Sequence, residues 1–524
     1  MRKNIKNKAI ALTLATVAGV FALCGCGGKA EEPNRLLPDY SAYDLQYEVM
    51  CDGPSNGRLK HDNVWYQVAP DGQTEEGFKT CLEMGNNTLF LTIYQDTLGD
   101  TEKWETSHTK EVAEKAVAAG FKRIYFRDQY LNKFNYLGLE NKKLVDPQGG
   151  KFKTTDELDE YVTERLKEYV NVPYIAGVDI GDEPTYKQTE AMAAIGASIK
   201  RCAAKLGRTD FKVFVNLYSY RMDPTLSGFF GEPGTYQSAS EVYRRYIEDF
   251  VKGMDADMMC VDDYPYAPEE FVRGYFTSLQ TLRSVCSDYD IDMAFYVTAF
   301  SEFKSGRFKF FRGNIGQAEL YHNLNSLVGF GVRKLKWFSY GTYPIGYDNG
   351  NVWYDYSTLV DRYNNPTDLY YYAKQYLAEL QSFANVILNY EYQGAKFYTC
   401  EGMAQFDNTP YLFNYTDSST GTTLEFDNSY EFKKVKNVGI DNDVALLTEL
   451  YDQENDLRMY MVMNPIDPYF SRFGRTDEKI KVDFGVGTEW VAEFDRGKLS
   501  YVKLENGVYT KTLSAGYATY VIPL

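Results

Sequence analysis

The segment that decides the fold runs from residue 175 to residue 217 and contains three runs of different character. IAGVDI (residues 175–180) is a short run rich in β-branched residues, AMAAIGASIKRCAAKL (191–206) has apolar residues at helical spacing, and KVFVNL (212–217) is a second short β-prone run. A strand, a helix and a strand in succession predict a βαβ unit, because two parallel strands need a crossover long enough to hold a helix.

The same alternation continues on both sides of this unit, from Asn63 to Tyr343. The predicted strands are Val64–Val68, Thr88–Tyr94, Arg123–Arg127, Ile175–Ile180, Lys212–Leu217, Met258–Val261, Met293–Thr298 and Leu335–Tyr340. Eight units in about 280 residues match a (β/α)8 barrel, which typically has about 250. The alternative is a doubly wound open sheet, but no G-x-G-x-x-G loop follows residue 68. We therefore predict an α/β chain in which residues 41–350 form a TIM barrel.

The pattern changes after the barrel. Residues 351–390 contain one long helical stretch, Leu369–Ile387, which we interpret as a linking helix. Residues 391–524 contain short alternating strands separated by Gly, Asp and Asn turns, without helices between them. Regular short strands of this kind predict a C-terminal antiparallel β-sandwich.

The first 26 residues predict export. A basic head with Arg2 and Lys3 precedes an apolar run that ends at Leu23, too short to span a membrane. The end of this run, Leu-Cys-Gly-Cys at residues 23–26, resembles a bacterial lipobox, which implies lipid attachment at Cys26. The alternative is an ordinary secretory signal with incidental cysteines. Residues 27–40 are polar and lack an apolar period, so we predict a tether that holds the protein at the extracellular face of the cytoplasmic membrane.

Composition limits the partners. The net charge of −17 is spread along the chain and no basic stripe is present, so nucleic acid is a poor candidate. An acidic surface also disfavours a polyanionic glycan as the main substrate, although a local patch can override it. The remaining cysteines and the three histidines are scattered, so we expect neither a disulfide framework nor a structural metal. No other segment is apolar enough to cross a bilayer.

Chemistry in such a barrel is expected at the carboxyl ends of the strands. Carboxylates and aromatic residues gather there, as a sugar site requires: the first for proton transfer and for stabilising an oxocarbenium ion, the second for the apolar faces of pyranose rings. In strand order the candidates are Arg127, Asp128, Asp182, Glu183, Asn216, Tyr218, Asp262, Asp263, Tyr264, Tyr266, Glu302, Trp337 and Tyr340.

Three motifs resemble the clan A glycoside hydrolases and related surface proteins, including the family 42 β-galactosidases. They are Gly-Asp-Glu-Pro (181–184) after strand four, Asp-Asp-Tyr-Pro (262–265) after strand six, and the run from Ser326 to Tyr340 that leads into strand eight. The resemblance implies that Glu183 is the general acid/base. These enzymes usually have Asn before that glutamate, whereas this chain has Asp182. An Asp-Glu pair is similar to the family 20 hexosaminidases, in which the aspartate orients the substrate's acetamido group as the internal nucleophile.

A retaining clan A mechanism needs a second carboxylate after strand seven, and Glu302 is the candidate there. The alternative is Asp263 from strand six, as a base or stabiliser. Several candidates have simpler structural explanations: Asp262 and Asp263 can anchor a turn, Trp337 can belong to the core, and Arg127 can pair with Asp128.

The sequence thus predicts a surface-anchored glycoside hydrolase acting on an extracellular glycan, with no cofactor or metal, since two carboxylates and water suffice. The alternative is a non-catalytic carbohydrate-binding lipoprotein on a degenerate barrel. A structural surface protein without a ligand is a third possibility, against which the aromatic and acidic strand ends argue.

Overall fold

The structure is a computed structural model. It describes residues 36–61, 64–91, 97–220, 229–231, 239–267, 270–271, 274–303, 310–312, 315–344, 346–348, 351–353, 356–399, 414–416, 423–468 and 477–524. The lipobox and most of the tether lie outside these residues.

Eight parallel strands close into a barrel in which each strand pairs with its neighbours in chain order and the first pairs with the last. The barrel strands are β1 (Glu48–Cys51), β2 (Thr88–Leu91), β3 (Arg123–Arg127), β4 (Ile175–Asp182), β5 (Lys212–Tyr218), β6 (Met258–Asp262), β7 (Asp292–Thr298) and β8 (Lys334–Phe338). The predicted TIM barrel is therefore confirmed.

The predicted first strand was wrong. Val64–Gln67 pairs antiparallel with Arg58–His61 in a hairpin that follows β1, and Glu48–Cys51 takes the place in the barrel. The acidic Glu48 made this segment an unlikely buried strand from sequence. It is buried because Lys334 at the start of β8 donates a hydrogen bond to its carboxylate and Arg123 lies 3.4 Å away.

Helices between the strands cover the outside of the barrel. They are α1 (Glu75–Met84), α2 (His108–Ala119), α3 (Gln129–Asn132), α4 (Tyr136–Leu139), α5 (Thr155–Leu166), α6 (Thr189–Lys205), α7 (Ala239–Met254), α8 (Tyr275–Asp288) and α9 (Gln317–Gly329). Short 3-10 helices lie at Tyr40–Ala42, Trp104–Thr106 and Tyr186–Gln188. Helices α1, α2 and α5 begin as their sequences require, with Thr74, Ser107 and Thr154 accepting hydrogen bonds from the first turn. No helix among the described residues has the length and apolar character that crossing a membrane requires.

Short strands decorate the loops at the carboxyl ends of the barrel strands. Tyr266–Ala267 pairs with Glu270–Phe271 after β6, and Ser301–Phe303 after β7 pairs with Phe310–Arg312 and with Tyr356–Ser357. Gly346–Asp348 pairs with Asn351–Trp353 after β8. These short strands lie in the loops that surround the carboxyl end of the barrel. We call this end of the barrel the mouth.

After the barrel, α10 (Asp368–Ser382) and α11 (Ala384–Ile387) lead into the antiparallel region. Its main strands are β9 (Glu391–Thr399), β10 (Asn437–Ile440), β11 (Val444–Asp452), β12 (Leu457–Met463), β13 (Asp477–Asp483), β14 (Trp490–Asp495), β15 (Lys498–Lys503), β16 (Val508–Ser514) and β17 (Ala518–Pro523). A further two-stranded sheet pairs Asn414–Thr416 with Thr423–Glu425.

The antiparallel strands form two sheets, as the sandwich prediction requires. One has six strands in the order β9-β11-β12-β17-β14-β15, and the other has three in the order β10-β13-β16. Apolar residues such as Val462 and Val482 fill the space between them. The opposite face of the six-stranded sheet shares one continuous core with the barrel helices, where Phe494 stacks on Phe383 at 5.5 Å between ring centroids.

Candidate functional site

The end of β4 turns two carboxylates toward the mouth. Regular alternation would place Asp179 and Asp182 on opposite faces of the strand. The pairing with β5 shifts between them, so that Asp179 lies opposite Phe214 and Asp182 lies opposite Asn216. This bulge accommodates one extra residue on β4, and both aspartates reach Arg127 of β3 as a result.

Arg127 links the two aspartates. Its Nε donates to Oδ2 of Asp179 at 3.0 Å, and its Nη1 lies 3.6 Å from Oδ2 of Asp182. Asp179 is buried, and burial raises its pKa against the opposing charges of Arg127 and Lys336. Asp182 is 53% exposed, so it is the member of this group that a ligand in the mouth can reach.

Asn216 of β5 fixes the next part of the site. Its Nδ2 donates to Oδ1 of Asp182 at 2.9 Å, and its backbone carbonyl accepts from the backbone N–H of Glu183 at 2.8 Å. Glu183 has a left-handed backbone, with φ of 43°, and its side chain is exposed. A left-handed backbone costs a non-glycine residue free energy and is found preferentially at functional positions. The turn therefore holds Asp182 and Glu183 at the mouth together.

Asp262 and Asp263 are adjacent at the end of β6, and their side chains lie on opposite faces of the strand. Asp262 lies two residues after Cys260, which faces into the barrel, and Asp263 lies two residues after Val261, which faces the helices. Their charges act accordingly. Burial raises the pKa of Tyr243 on α7, and the next largest cause is the negative charge of Asp263. For Tyr264, which faces the mouth, the next largest cause after burial is the negative charge of Asp262. Asp263 thus lies between the barrel and its helices, outside the mouth.

Tyr264 reports which acids share the mouth. Burial is the main cause that raises the pKa of Tyr264 well above its usual value. The charge of Asp262 adds to this effect, and Tyr296, Glu183 and Asp182 contribute less. Acids from the ends of β4 and β6 therefore act on the same phenol. The mouth contains carboxylates from two strands that are not neighbours in the barrel.

Aromatic rings pack together beside these acids. The ring of Tyr264 lies 4.9 Å from that of Phe300 and 5.3 Å from that of Phe338, measured between centroids. Phe300 and Phe338 meet edge to face at 5.2 Å. Phe338 is the half-buried member of the three. The mouth thus combines carboxylates with an aromatic cluster of which Phe338 is partly exposed, a combination that suits a sugar ring.

A buried lysine lies beneath these groups. Lys336 of β8 donates a hydrogen bond to the hydroxyl of Tyr296, and its ammonium group lies 3.0 Å from the ring centroid of Phe90. Its side chain is fully buried, and this burial lowers its pKa to about 8 despite nearby negative groups including Asp179. Lys336 places positive charge below the carboxylates of β4.

Besides Asp263, four predicted site residues lie away from the mouth. Trp337 is fully buried among the outer helices, where its Nε1 donates to Asn86 at 2.8 Å, so it is not a floor for a sugar ring. Tyr340 also belongs to the outer core. Tyr266 bonds to Nδ1 of His322 on α9 at 2.8 Å. The side chains of these three residues face the helices, so the structure does not bring them to the mouth.

Asp128 is the fourth of these residues. It caps α3 and accepts hydrogen bonds from Nε of Arg165 at 2.7 Å and from the hydroxyl of Tyr169 at 2.8 Å. The alternative pairing of Arg127 with Asp128 was also wrong, since each has a different partner. Tyr218 at the end of β5 is half-buried and packs against Phe229 at 5.3 Å between centroids.

Glu302 belongs to the short strand Ser301–Phe303, beyond the end of β7 at Thr298. Its backbone pairs with Tyr356 and Arg312, and its side chain lies outside the described residues. Cys26 lies outside them as well. Ala294, Tyr296 and Thr298 of β7 face inward and are not acidic. Asp292 has the same parity, but it begins the strand at the end away from the mouth, where it lies 3.5 Å from Lys334.

Sequence reasoning missed Lys336, Tyr296 and Phe338. The signal for them was present, because each lies an even number of residues from another inward-facing position of its strand. Lys336 in particular interrupts the apolar run KLKWF, and a charged residue in a buried strand is expected to have a paired, functional or structural role.

Comparison with known proteins finds similarity among solved structures. No family model matches the chain, and no curated protein matches it. Solved structures that it resembles include a family 27 β-L-arabinopyranosidase from Geobacillus stearothermophilus (9% identity, 92% of this chain and 97% of that chain, TM-score 0.47). Others are a family 5 glycoside hydrolase from Bacteroides vulgatus (10%, 91% and 88%, TM-score 0.43) and an Anoxybacillus α-amylase (11%, 91% and 98%, TM-score 0.42).

The predicted likeness to glycoside hydrolase barrels is thus found among solved structures. At these identities it concerns the fold alone, which the strand pairing shows directly. The particular resemblance to family 42 stays a prediction.

Proposed function

We propose that the chain is a glycoside hydrolase in which Glu183 is the general acid/base. One observation carries the proposal: Asp182, Glu183 and Asp262 contribute negative charge at Tyr264, and the ring of Tyr264 packs against Phe300 and Phe338 at the same mouth. Glycoside hydrolysis needs a proton donor and a second carboxylate on opposite sides of the scissile bond, and carboxylates from β4 and β6 supply such a pair.

Asp182 and Asp262 are the candidates for the second carboxylate. Asp182 lies 3.6 Å from Arg127 and accepts a hydrogen bond from Asn216. A carboxylate oriented in this way suits either attack on the anomeric carbon or the positioning of a substrate acetamido group. Asp262 approaches from β6 and suits the role of direct nucleophile or base. Glu302 has less support, because it lies beyond the end of β7 and its side chain is outside the described residues.

Substitution of Glu183 tests the proposal. Glu183→Gln keeps the shape of the side chain and removes its acidity, so turnover of chromogenic aryl glycosides should fall by about 100-fold or more. A matched control is Glu140→Gln, which changes an exposed carboxylate after α4 that pairs with Lys142. Unchanged turnover in Glu183→Gln would exclude this residue as the acid. Retained sugar binding in a chain that never turns over any glycoside would favour the non-catalytic alternative.

A second experiment distinguishes Asp182 from Asp262 as the second carboxylate. If Asp182 orients an acetamido group, 2-acetamido aryl glycosides should react and their 2-hydroxy counterparts should not, and Asp182→Asn should remove that preference. If Asp262 is the nucleophile, Asp262→Ala should be inactive and azide should restore turnover by occupying the space of the lost carboxylate. Inactivity of Asp182→Asn and Asp262→Ala without either signature would contradict both assignments.

We also propose that the protein is anchored by a lipid at Cys26 on the extracellular face of the membrane. The support is the lipobox-like sequence at residues 23–26. Fatty-acid labelling in a bacterial host should mark the native chain and not Cys26→Ala, which should be released from the membrane fraction. Equal labelling of both would overturn the anchor.

A further inference from the structure

Exposed apolar side chains concentrate on the mouth face of the barrel. Among the described residues, ten large apolar side chains are 46–83% exposed. Seven of these ten follow barrel strands: Val64, Trp65 and Tyr66 after β1, Tyr136 and Leu139 after β3, and Tyr363 and Tyr371 after β8. Segments that follow parallel strands begin at the same end of the barrel, so residues close to the strand ends lie around the mouth. Tyr371 does not, because it belongs to α10 beside Tyr370, whose hydroxyl donates to the carbonyl of Thr80 in the middle of α1. We call Trp65, Tyr136 and Tyr363 the aromatic rim.

The hairpin after β1 presents the tryptophan of this rim. Lys60 lies opposite Trp65 and Leu59 lies opposite Tyr66, so the two pairs occupy different faces. Leu59 is 6% exposed, which means that its face turns toward the body of the protein. Trp65 is 49% exposed on the other face, with the Lys60 ammonium 5.8 Å from its ring centroid. An exposed tryptophan beside other exposed apolar residues is typical of a binding surface.

The hairpin is fixed to the loop after β8. Asn364 Nδ2 donates to the carbonyl of Pro70 at 3.3 Å and lies 3.5 Å from that of Ser55, the residues that flank the hairpin. Gln67 Nε2 donates to the carbonyl of Asn56 at 2.7 Å and closes the base. Because Tyr363 precedes Asn364 directly, two rim aromatics belong to loops that hold each other in place.

We propose that the aromatic rim binds successive sugar residues of a neutral polysaccharide that extends out of the mouth. This inference rests on the proposed function and names its substrate class. The apolar faces of pyranose rings stack on aromatic side chains, and a short glycoside would contact only the groups inside the mouth. Aromatic residues on three separate segments of the chain instead suit a chain of several sugars. The net charge of −17 disfavours a polyanionic chain.

The test uses affinity gel electrophoresis in the inactive Glu183→Gln protein, with gels containing xylan, mannan, galactan, mixed-linkage β-glucan or polygalacturonate. At least one neutral polymer should retard the protein. Adding Trp65→Ala should weaken that binding about tenfold, as loss of a central aromatic contact does. Trp490→Ala is the matched control. That tryptophan also lies opposite a lysine in a hairpin, with the Lys503 ammonium 5.9 Å from its ring, but in the sandwich.

The proposal is overturned if no neutral polymer retards the protein, if Trp65→Ala binds as tightly as its parent, or if polygalacturonate binds best. Equal weakening by Trp490→Ala would also overturn it, because the effect would not be specific to the mouth. Binding is measured without turnover, so failure of the rim is distinguishable from failure of Glu183 as the acid. A thermal melt of each variant shows that the folded protein is compared.

Discussion

Replacing Lys336 by methionine measures the cost of the charge beneath the mouth. The side chain is fully buried, and burial lowers its pKa from 10.5 to about 8. Methionine is apolar, flexible and of similar length, so it fills the same space without a charge. Since one pKa unit corresponds to about 1.4 kcal/mol, keeping Lys336 charged at pH 7 costs the folded state about 3 kcal/mol relative to the unfolded chain.

The sign of the pH dependence follows from the direction of the shift. The pKa of Lys336 is lower in the folded state, so between pH 8 and 10.5 the unfolded chain retains a proton that the folded chain has released. The free energy of unfolding of the native protein should therefore rise with pH relative to Lys336→Met, by about 3 kcal/mol across this window. Below pH 8 the difference between the two proteins should be constant.

Urea unfolding followed by tryptophan fluorescence at several pH values between 7 and 10 measures this difference. Lys498→Met is the control, because Lys498 is exposed on the sandwich and its ammonium group is solvated before and after unfolding. Titration of all other groups is common to the proteins and cancels in the comparison. Parallel stability profiles for the native protein and Lys336→Met would refute the reasoning, since they would mean that Lys336 titrates alike in both states.

Three further substitutions test other buried residues that carry or can carry a charge. Arg127→Met leaves Asp179 buried without its nearest cation, and urea unfolding at pH 7 should show a loss of about 3 kcal/mol. Burial opposes ionisation of Asp159, but hydrogen bonds led by that from Arg201 lower its pKa to about 2. Asp159→Asn should therefore cost about 2 kcal/mol at pH 7 and nothing below pH 2 in thermal melts. Burial lowers the pKa of His322 to about 4, so native stability should fall by about 3 kcal/mol from pH 6.5 to 4, a slope absent in His322→Gln.

The barrel was predictable from sequence because seven of its strands are locally apolar and separated by helix-period segments. The first strand was not, because Glu48 is tolerated only through Lys334 and Arg123, which lie far away in the chain. Val64–Gln67 has the composition of a strand and is one, but it belongs to an exposed hairpin. Composition predicted the type of element there and could not predict its partner.

The candidate site was predicted less evenly. The ends of β4, β5 and β6 identified Asp182, Asn216 and Asp262, all of which lie at the mouth, although their roles stay predictions. The face of the strand on which each side chain lies was difficult to predict, because a shift of one residue moves a side chain to the other face. Trp337 was chosen where its neighbours Lys336 and Phe338 face inward. The bulge that brings Asp182 into line with Asp179 has no signature in the sequence.

The shared core between the barrel helices and the six-stranded sheet makes the C-terminal region inseparable from the rest. Met461 of β12 packs against Gly329 at the end of α9, closely enough that a methyl group on that glycine would meet its sulfur at 2.3 Å. Nε2 of His322 and the carbonyl of Pro465 are bonded across the same boundary at 3.0 Å. A chain truncated at residue 390 would expose this apolar surface to water and should aggregate. The barrel and the sandwich should therefore unfold in a single thermal transition. A partner that binds the sandwich should then also stabilise the folded barrel and its mouth.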